Sequence, residues 1–422
     1  MVEAGNVVGF KCVRCGKETA DARGYVCPSC KSNLDVVYDY KTIKKTFTRK
    51  SLESNPDKSV WRYKGILPIA QYKGVPIVHI GGTPLYKAER LGADLGLQNL
   101  YLKDDGRNPS ASFKDRAGSV AVAKALELGE KTITGASTGN AASSMACLTA
   151  GLGLKTIIFL PEKAPVAKIA QLLVFGAVVI AVKGTYDQAF DLCLQATAEF
   201  GWYNRNTGHN PFTREGKKTC SFELVEQLGW DCPDKVFVSM GDGNIISGIW
   251  KGFKDFYALG LIDRLPQLVG VQAEHSDAIK RAFESDGVIR PVSGDTIADS
   301  ISVSLPRDGD AAVKALKESK GFAVSVTDDE ILAAIRDTAR RESVFGEPAG
   351  VTSVAGLRKA AAQGLVKSGE KVVALITGNG LKDVASAMKA VGKPHLIEPK
   401  VDELKSLVER EKINSGGIAW RS

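Results

Sequence analysis

The chain has 422 residues, 44% of them hydrophobic and 25% charged, and a formal net charge of +8 at pH 7. This is the balance of an ordinary globular protein, long enough for two or three domains with a sizeable core. No run is apolar enough to span a bilayer, and the Lys and Arg residues are spread rather than gathered into an arm, so a membrane protein and a nucleic-acid partner are both disfavoured. Met1–Gly5 carries neither a basic n-region nor an apolar h-region, which leads us to expect a cytoplasmic protein.

In chain order, the first signal is a pair of C-x-x-C knuckles, Cys12-Val13-Arg14-Cys15 and Cys27-Pro28-Ser29-Cys30, joined by a short polar loop that contains Gly24. Four thiolates at this spacing can close a tetrahedral zinc site, and residues 1–45 read as a small zinc-ribbon-like segment. With all four ligands supplied by protein, such a zinc would be structural. A disulfide pair is the alternative, but Cys147, Cys193, Cys220 and Cys232 are scattered as in a reducing compartment. Residues 46–80, punctuated by Pro56, Pro68 and Pro76, read as a connector that wraps a neighbouring domain. From 81 to 395 strands and helices alternate, the pattern of a parallel sheet covered on both faces. Over 396–422 a short amphipathic helix, Val401–Glu411, carries Leu404, Leu407 and Val408 on one stripe before a Gly416-Gly417 break. That stripe suggests docking onto the body or a sister subunit.

Within the 81–395 region, Asn108-Pro109-Ser110-Ala111-Ser112-Phe113-Lys114-Asp115-Arg116 reads as loop, cap and helix. Ser112 is expected to cap a helix whose Asp115 reaches back in capping-box fashion, with Ala117, Val120, Ala121 and Leu128 on the apolar face and Gly129 as the stop. Lys114 then sits in the first turn, where the positive end of the helix dipole disfavours an ammonium and favours a neutral, nucleophilic amine.

Three strand-to-helix turns follow. Ser137-Thr138-Gly139-Asn140 links a strand ending at Ala136 to a small-residue helix, and its free amides suit a carboxylate or phosphate. Gly241-Asp242-Gly243-Asn244 follows the strand Val236–Val238 and opens a helix with Ile245, Ile249, Trp250, Phe253 and Phe256 on its apolar face. Its glycine spacing is neither G-x-G-x-x-G nor a Walker loop, which leaves a phosphate cup for a smaller cofactor. Thr377-Gly378-Asn379-Gly380 ends the apolar strand Val372–Ile376, placing the Thr377 hydroxyl where ligands of open α/β sheets gather.

Together these pieces resemble the tryptophan synthase β-like, fold type II family of pyridoxal-phosphate enzymes over roughly residues 80–395. The most specific are Asn108–Arg116, Asn210-Pro211 followed by Glu215-Gly216-Lys217-Lys218-Thr219, and Thr377–Asp383. The resemblance implies an α/β fold with two open parallel-sheet domains behind the N-terminal knuckle. It implies pyridoxal 5'-phosphate bound covalently to Lys114, which also shuttles protons, with Asn140 on the cofactor's 3-oxygen. Gly241, Asp242, Gly243 and Asn244 would hold its phosphate, Thr377 would face the ring nitrogen, and Ser137 and Thr138 would meet the substrate. Within the family the chain is similar to the branch that acts on O-phospho-L-homoserine by β,γ-replacement, a small phosphorylated amino acid losing phosphate and taking up water. Arg205, in preference to Arg214, would then clamp the departing phosphate, and a homodimer is expected. The rivals are a cysteate-synthase-like exchange on O-phosphoserine and a nucleic-acid-binding module built on the knuckle.

Overall fold

Strands such as Lys371–Ile376 are apolar and buried on both faces, as parallel strands between two helical layers must be. The computed structural model describes residues 6–20, 25–72, 74–76, 78–137, 139–162, 164 and 166–413. Its larger sheet has six strands in the spatial order Phe322–Val326, Gln267–Ala273, Lys235–Ser239, Lys371–Ile376, Asn99–Asp104 and Leu85–Lys87. All pair in parallel except the edge strand Leu85–Lys87, which is antiparallel to its neighbour. A second sheet of four parallel strands runs Val178–Val182, Lys155–Pro161, Thr132–Ala136 and Tyr203–Asn204. The chain leaves the larger sheet after Asn99–Asp104, builds the smaller one, and returns at Lys235–Ser239. The expected pair of open parallel sheets is therefore present, with one antiparallel edge.

Helix Asn244–Leu259 buries Ile245, Ile249, Trp250, Phe253 and Phe256, as its spacing requires. Phe256 stacks on Phe222 at 4.2 Å between ring centroids, and truncating such a buried ring to alanine costs about 3–5 kcal/mol.

Near the N-terminus, Val7–Cys12, Glu18–Thr19 and Leu34–Tyr38 form a three-stranded antiparallel sheet. The stretch that follows carries its own short helices and core residues. It forms helices Tyr40–Ile43 and Arg49–Glu53 and a 3-10 turn Val60–Ile66, and it buries Ile43, Phe47, Leu52, Tyr63 and Ile66 in the largest core. The Tyr38 and Tyr40 hydroxyls donate to Glu215 at 2.5 Å and Asp255 at 2.6 Å. In the C-terminal helix Val401–Arg410 only Leu407 is buried, while Leu404 is 45% exposed, so the expected stripe is docked at one position. Gly24, Gly416 and Gly417 lie outside the described residues. No described helix is long and apolar enough to cross a membrane.

Candidate active site

The Asn108–Phe113 loop is fixed on both sides before the helix Lys114–Glu127 begins. Phe113 N–H donates to the Thr377 carbonyl at 2.9 Å, and Asn379 N–H donates to the Ala111 carbonyl at 3.0 Å. Ala111 sits at φ 59°, a left-handed conformation that a non-glycine residue adopts only when its surroundings enforce it. The capping box expected at Ser112 is not formed. Asp115 instead accepts from the Ser110 N–H at 2.7 Å and the Ser110 hydroxyl at 2.6 Å, because Phe113 is already helical in φ and ψ and the loop doubles back one step earlier. The Ser112 hydroxyl accepts from Lys114 N–H at 3.3 Å.

Lys114 is thereby held at the wall of a cavity of about 560 Å³, a volume suited to a small cofactor with its substrate. Its Nζ makes no hydrogen bond among the described residues. Burial is the largest cause of its lowered pKa, partly opposed by Glu347 and reinforced by Arg205. The cavity lies where both sheets present strand ends: Ser137, Gly139 and Asn140 from one, Asp242 from the other, with Arg205–Thr207 and the 299–307 segment completing the wall. Arg205 is 2% exposed, and its Nε and one terminal nitrogen have no partner. Burial pushes its pKa down to about 10.

Below Lys235–Ser239 the turn Gly241–Asn244 leads into helix Asn244–Leu259. None of its four N–H groups finds an acceptor among the described residues, and buried amides left in that state call for an anion. Gly243 takes φ +88°, and a Cβ there would meet Ala312 at 2.8 Å. The residues present thus fit a phosphorylated cofactor: a turn of amides without acceptors borders, at Asp242, a cavity lined by Lys114 and by an arginine with two free nitrogens.

A family model described as pyridoxal-phosphate dependent enzyme matches residues 77–378. The chain is 40% identical to the threonine synthase of Methanocaldococcus jannaschii over 403 residues, which covers 94% of this chain and 99% of that one. It is 39% identical to the threonine synthase of Methanosarcina acetivorans over 404 residues, 94% of this chain and 98% of the other. The chain belongs to the threonine synthase family. It is a pyridoxal-phosphate dependent lyase, and its fold is that of threonine deaminase isoform 2 from Solanum lycopersicum, with a TM-score of 0.66 and 23% identity across 84% of this chain and 93% of that one.

Among the site residues expected from sequence, Lys114, Ser137, Asn140, Arg205 and Asp242 line the one cavity. Gly241, Gly243 and Asn244 form the buried turn next to Asp242, and Thr377 lies behind the Lys114 loop through its carbonyl. Thr138 lies outside the described residues. Of the basic residues between Arg205 and Lys218, Arg205 lines the cavity and the others turn to other partners. Arg214, the less favoured clamp, is buried and bonds Asp35 and Asp308. Lys218 pairs with Glu215 at 2.6 Å and Asp255 at 2.8 Å, and Lys217 donates to Asn244. Each sits on a short helix whose turns point these side chains in different directions, so closeness in sequence does not bring them together.

The sequence reading missed Glu347. It is 5% exposed, it precedes the helix Pro348–Ala362, and it accepts from Asn140 Nδ2 at 2.5 Å. Burial raises its pKa. Its signal was legible as an acid between Gly346 and a helix-opening Pro348. A side chain at Gly378 would collide with the Glu347 carboxylate.

The cysteines Cys12, Cys15, Cys27 and Cys30 converge, with all ligand atoms within 4.8 Å of one another.

Proposed function

We propose that this family member converts O-phospho-L-homoserine and water to L-threonine and phosphate in the cavity beside Lys114. The observation that carries the reading is a buried arginine with unpaired nitrogens on the same cavity wall as an unpaired, pKa-lowered lysine.

Bound pyridoxal phosphate, which Lys114 would hold between turnovers and release when the substrate amine takes its place, would supply the electron sink that acidifies the Cα–H and then the Cβ–H bonds of the amino acid. Asn140 would hold the cofactor's 3-oxygen, the Gly241, Asp242, Gly243 and Asn244 turn would hold its phosphate, and Thr377 would face its ring nitrogen. Because a hydroxyl does not favour a protonated ring as a carboxylate would, Thr377 keeps that sink mild. Ser137 and Thr138 hold the substrate carboxylate, which fixes the Cα–H bond toward Lys114. Lys114, neutral in part because it is buried, takes protons from Cα and Cβ and returns protons to Cγ and Cα. Arg205 receives the γ-phosphate as the Cγ–O bond breaks. A guanidinium fits this task because it stays charged and offers a planar fork of donors. The phosphate retained on Arg205 accepts the proton of the water that adds at Cβ.

The same reading includes a structural zinc on Cys12, Cys15, Cys27 and Cys30 and a cytoplasmic homodimer. The zinc is supported by four thiols already gathered at tetrahedral spacing, including Cys12 and Cys30 Sγ at 3.4 Å. The dimer is supported by an exposed apolar stripe of Val384, Met388 and Val391 on one helix face.

A substrate panel on the purified holoenzyme tests the function: phosphohomoserine, phosphoserine with sulfite, threonine and serine, scored by amino-acid product. Threonine from phosphohomoserine is expected. Cysteate as the main product would reject the reading. Metal analysis should return about one zinc per chain.

A further inference from the structure

The knuckle is joined to the cavity wall by a continuous set of short hydrogen bonds that meet at one carboxylate. Asp308 is 1% exposed. One of its oxygens accepts from Asn33 Nδ2 at 2.6 Å and from an Arg214 terminal nitrogen at 2.5 Å. The other accepts from Asn244 Nδ2 at 2.7 Å and from the Ser247 hydroxyl at 2.8 Å. Asn33 lies three residues beyond Cys30, and it also donates to the Arg307 carbonyl at 2.9 Å. Beside it, Ser32 Oγ and Arg14 Nε donate to Asp310 at 3.1 Å and 2.7 Å. On the far side, Asn244 and Ser247 belong to the first turn of the helix whose unpaired amides form the phosphate cup. The Asp308 N–H donates to the Asp242 carbonyl at 2.9 Å, and the Arg307 N–H to the Asp242 carboxylate at 3.1 Å. A Cβ on Gly243 would approach the Asp308 carbonyl to 2.9 Å, so the backbone of the cup is moulded against this residue.

We infer that Asp308 is a positioning residue through which the four-cysteine knuckle sets the affinity for the cofactor, resting on the reading that Gly241–Asn244 hold the cofactor phosphate. The physical case is one of charge and orientation. A carboxylate near a phosphate repels it unless its own charge is taken up locally. Here four donors saturate both oxygens, and Asn33 comes from the knuckle. The same bonds fix the rotamers of Asn244 and Ser247 in the first turn of the helix, so the Gly241–Asn244 amides that lead into that turn keep their aim. Groups that orient the residues of a binding shell commonly control its affinity. A knuckle that opens withdraws Asn33 and leaves Asp308 less compensated beside the cup.

The experiment uses the full-length holoenzyme and two readouts besides turnover: the dissociation constant of pyridoxal phosphate, by fluorescence titration, and the phosphorus-31 resonance of the bound cofactor. Three variants are compared, Asn33→Ala, Asp308→Asn and Asn244→Ala, with melting temperature recorded for each. Loss of a hydrogen bond to a buried charge predicts about tenfold or more weaker cofactor binding for Asp308→Asn, and about threefold or more for Asn33→Ala, each with a displaced resonance. If Asn244→Ala weakens binding while Asp308→Asn and Asn33→Ala leave affinity and resonance unchanged, the proposal is overturned and the cup stands. If Asn244→Ala also has no effect, the cup reading falls and takes the proposal with it. A lower melting temperature for Asn33→Ala at unchanged affinity and resonance makes the contact merely structural, which also overturns the proposal. Should Asp308→Asn fail to fold, the Asn33→Ala pair of readouts decides alone.

Discussion

Two arginines near Lys114, one two residues along its helix and the other on the cavity wall it shares, are both buried and are treated in opposite ways. Arg116 is 0% exposed and saturated: it bonds Asp105 at 2.5 Å and Glu223 at 2.6 Å, while Lys103 closes the cluster onto Glu223 at 2.7 Å. Arg205 is 2% exposed and keeps two nitrogens without partners on the cavity wall. A buried charge without a partner is expensive, so a protein keeps one only where something else will meet it. The paired cluster is scaffold that holds the start of the Lys114 helix against the body. Arg205 leaves two nitrogens free at the cavity, which is what the proposed binding of an anion there requires. Burial by itself does not separate the two; the state of their hydrogen bonds does.

The contrast can be broken most severely at Lys114. Lys114→Ala should cut turnover by about 10²–10⁴-fold or more and remove the visible band of the bound cofactor; a retained, borohydride-sensitive band on another lysine would refute its role. Next come the two arginine environments themselves. Glu223→Gln leaves Arg116 and Lys103 undercompensated and should lower unfolding stability by about 3–5 kcal/mol in a denaturant titration. Arg205→Ala should lower kcat/KM for phosphohomoserine by about 2–5 kcal/mol of transition-state stabilisation, while the cofactor spectrum and melting temperature hold or improve. If Arg205→Ala melts like Glu223→Gln, the distinction between scaffold and site fails at this pair.

The smallest effect expected is on pH. Burial would raise the Glu223 carboxyl, but Arg116 and Lys103 outweigh it and hold the group down to about 2, from an ordinary 4.5. A lowered acid contributes stability that is complete above the unfolded pKa and lost as pH falls through the folded one. Wild-type stability should therefore decline between about pH 4.5 and pH 2, and that part of the slope should vanish in Glu223→Gln. An unchanged slope would mean that other carboxylates govern acid unfolding.

The sequence by itself determined the local elements and the residues with a chemical signature. Alternating strands and helices marked the parallel sheets, the glycines of Gly241–Asn244 marked a tight turn into a helix, and the two C-x-x-C knuckles marked the cysteine cluster, since each depends on neighbours along the chain. Lys114 was legible because a loop, a helix start and a basic residue fall within nine positions. What only tertiary structure decided is which side chains share a space. Asp115 bonds Ser110 instead of closing a box at Ser112, because the loop is pinned by Thr377 and Asn379 from a strand more than 260 residues away. The sequence preferred Arg205 to Arg214 only by its polar turn, and the fold separated them by placing Asp35 and Asp308 against Arg214. Asp308 has no local pattern that marks it, and the Gly346-Glu347-Pro348 helix start marks a position without naming a partner; the contacts of both come from groups that distant segments bring in. Propensity acts within a turn or two of chain, whereas the pairing of buried charge is fixed by whichever groups the packed core brings within hydrogen-bond reach.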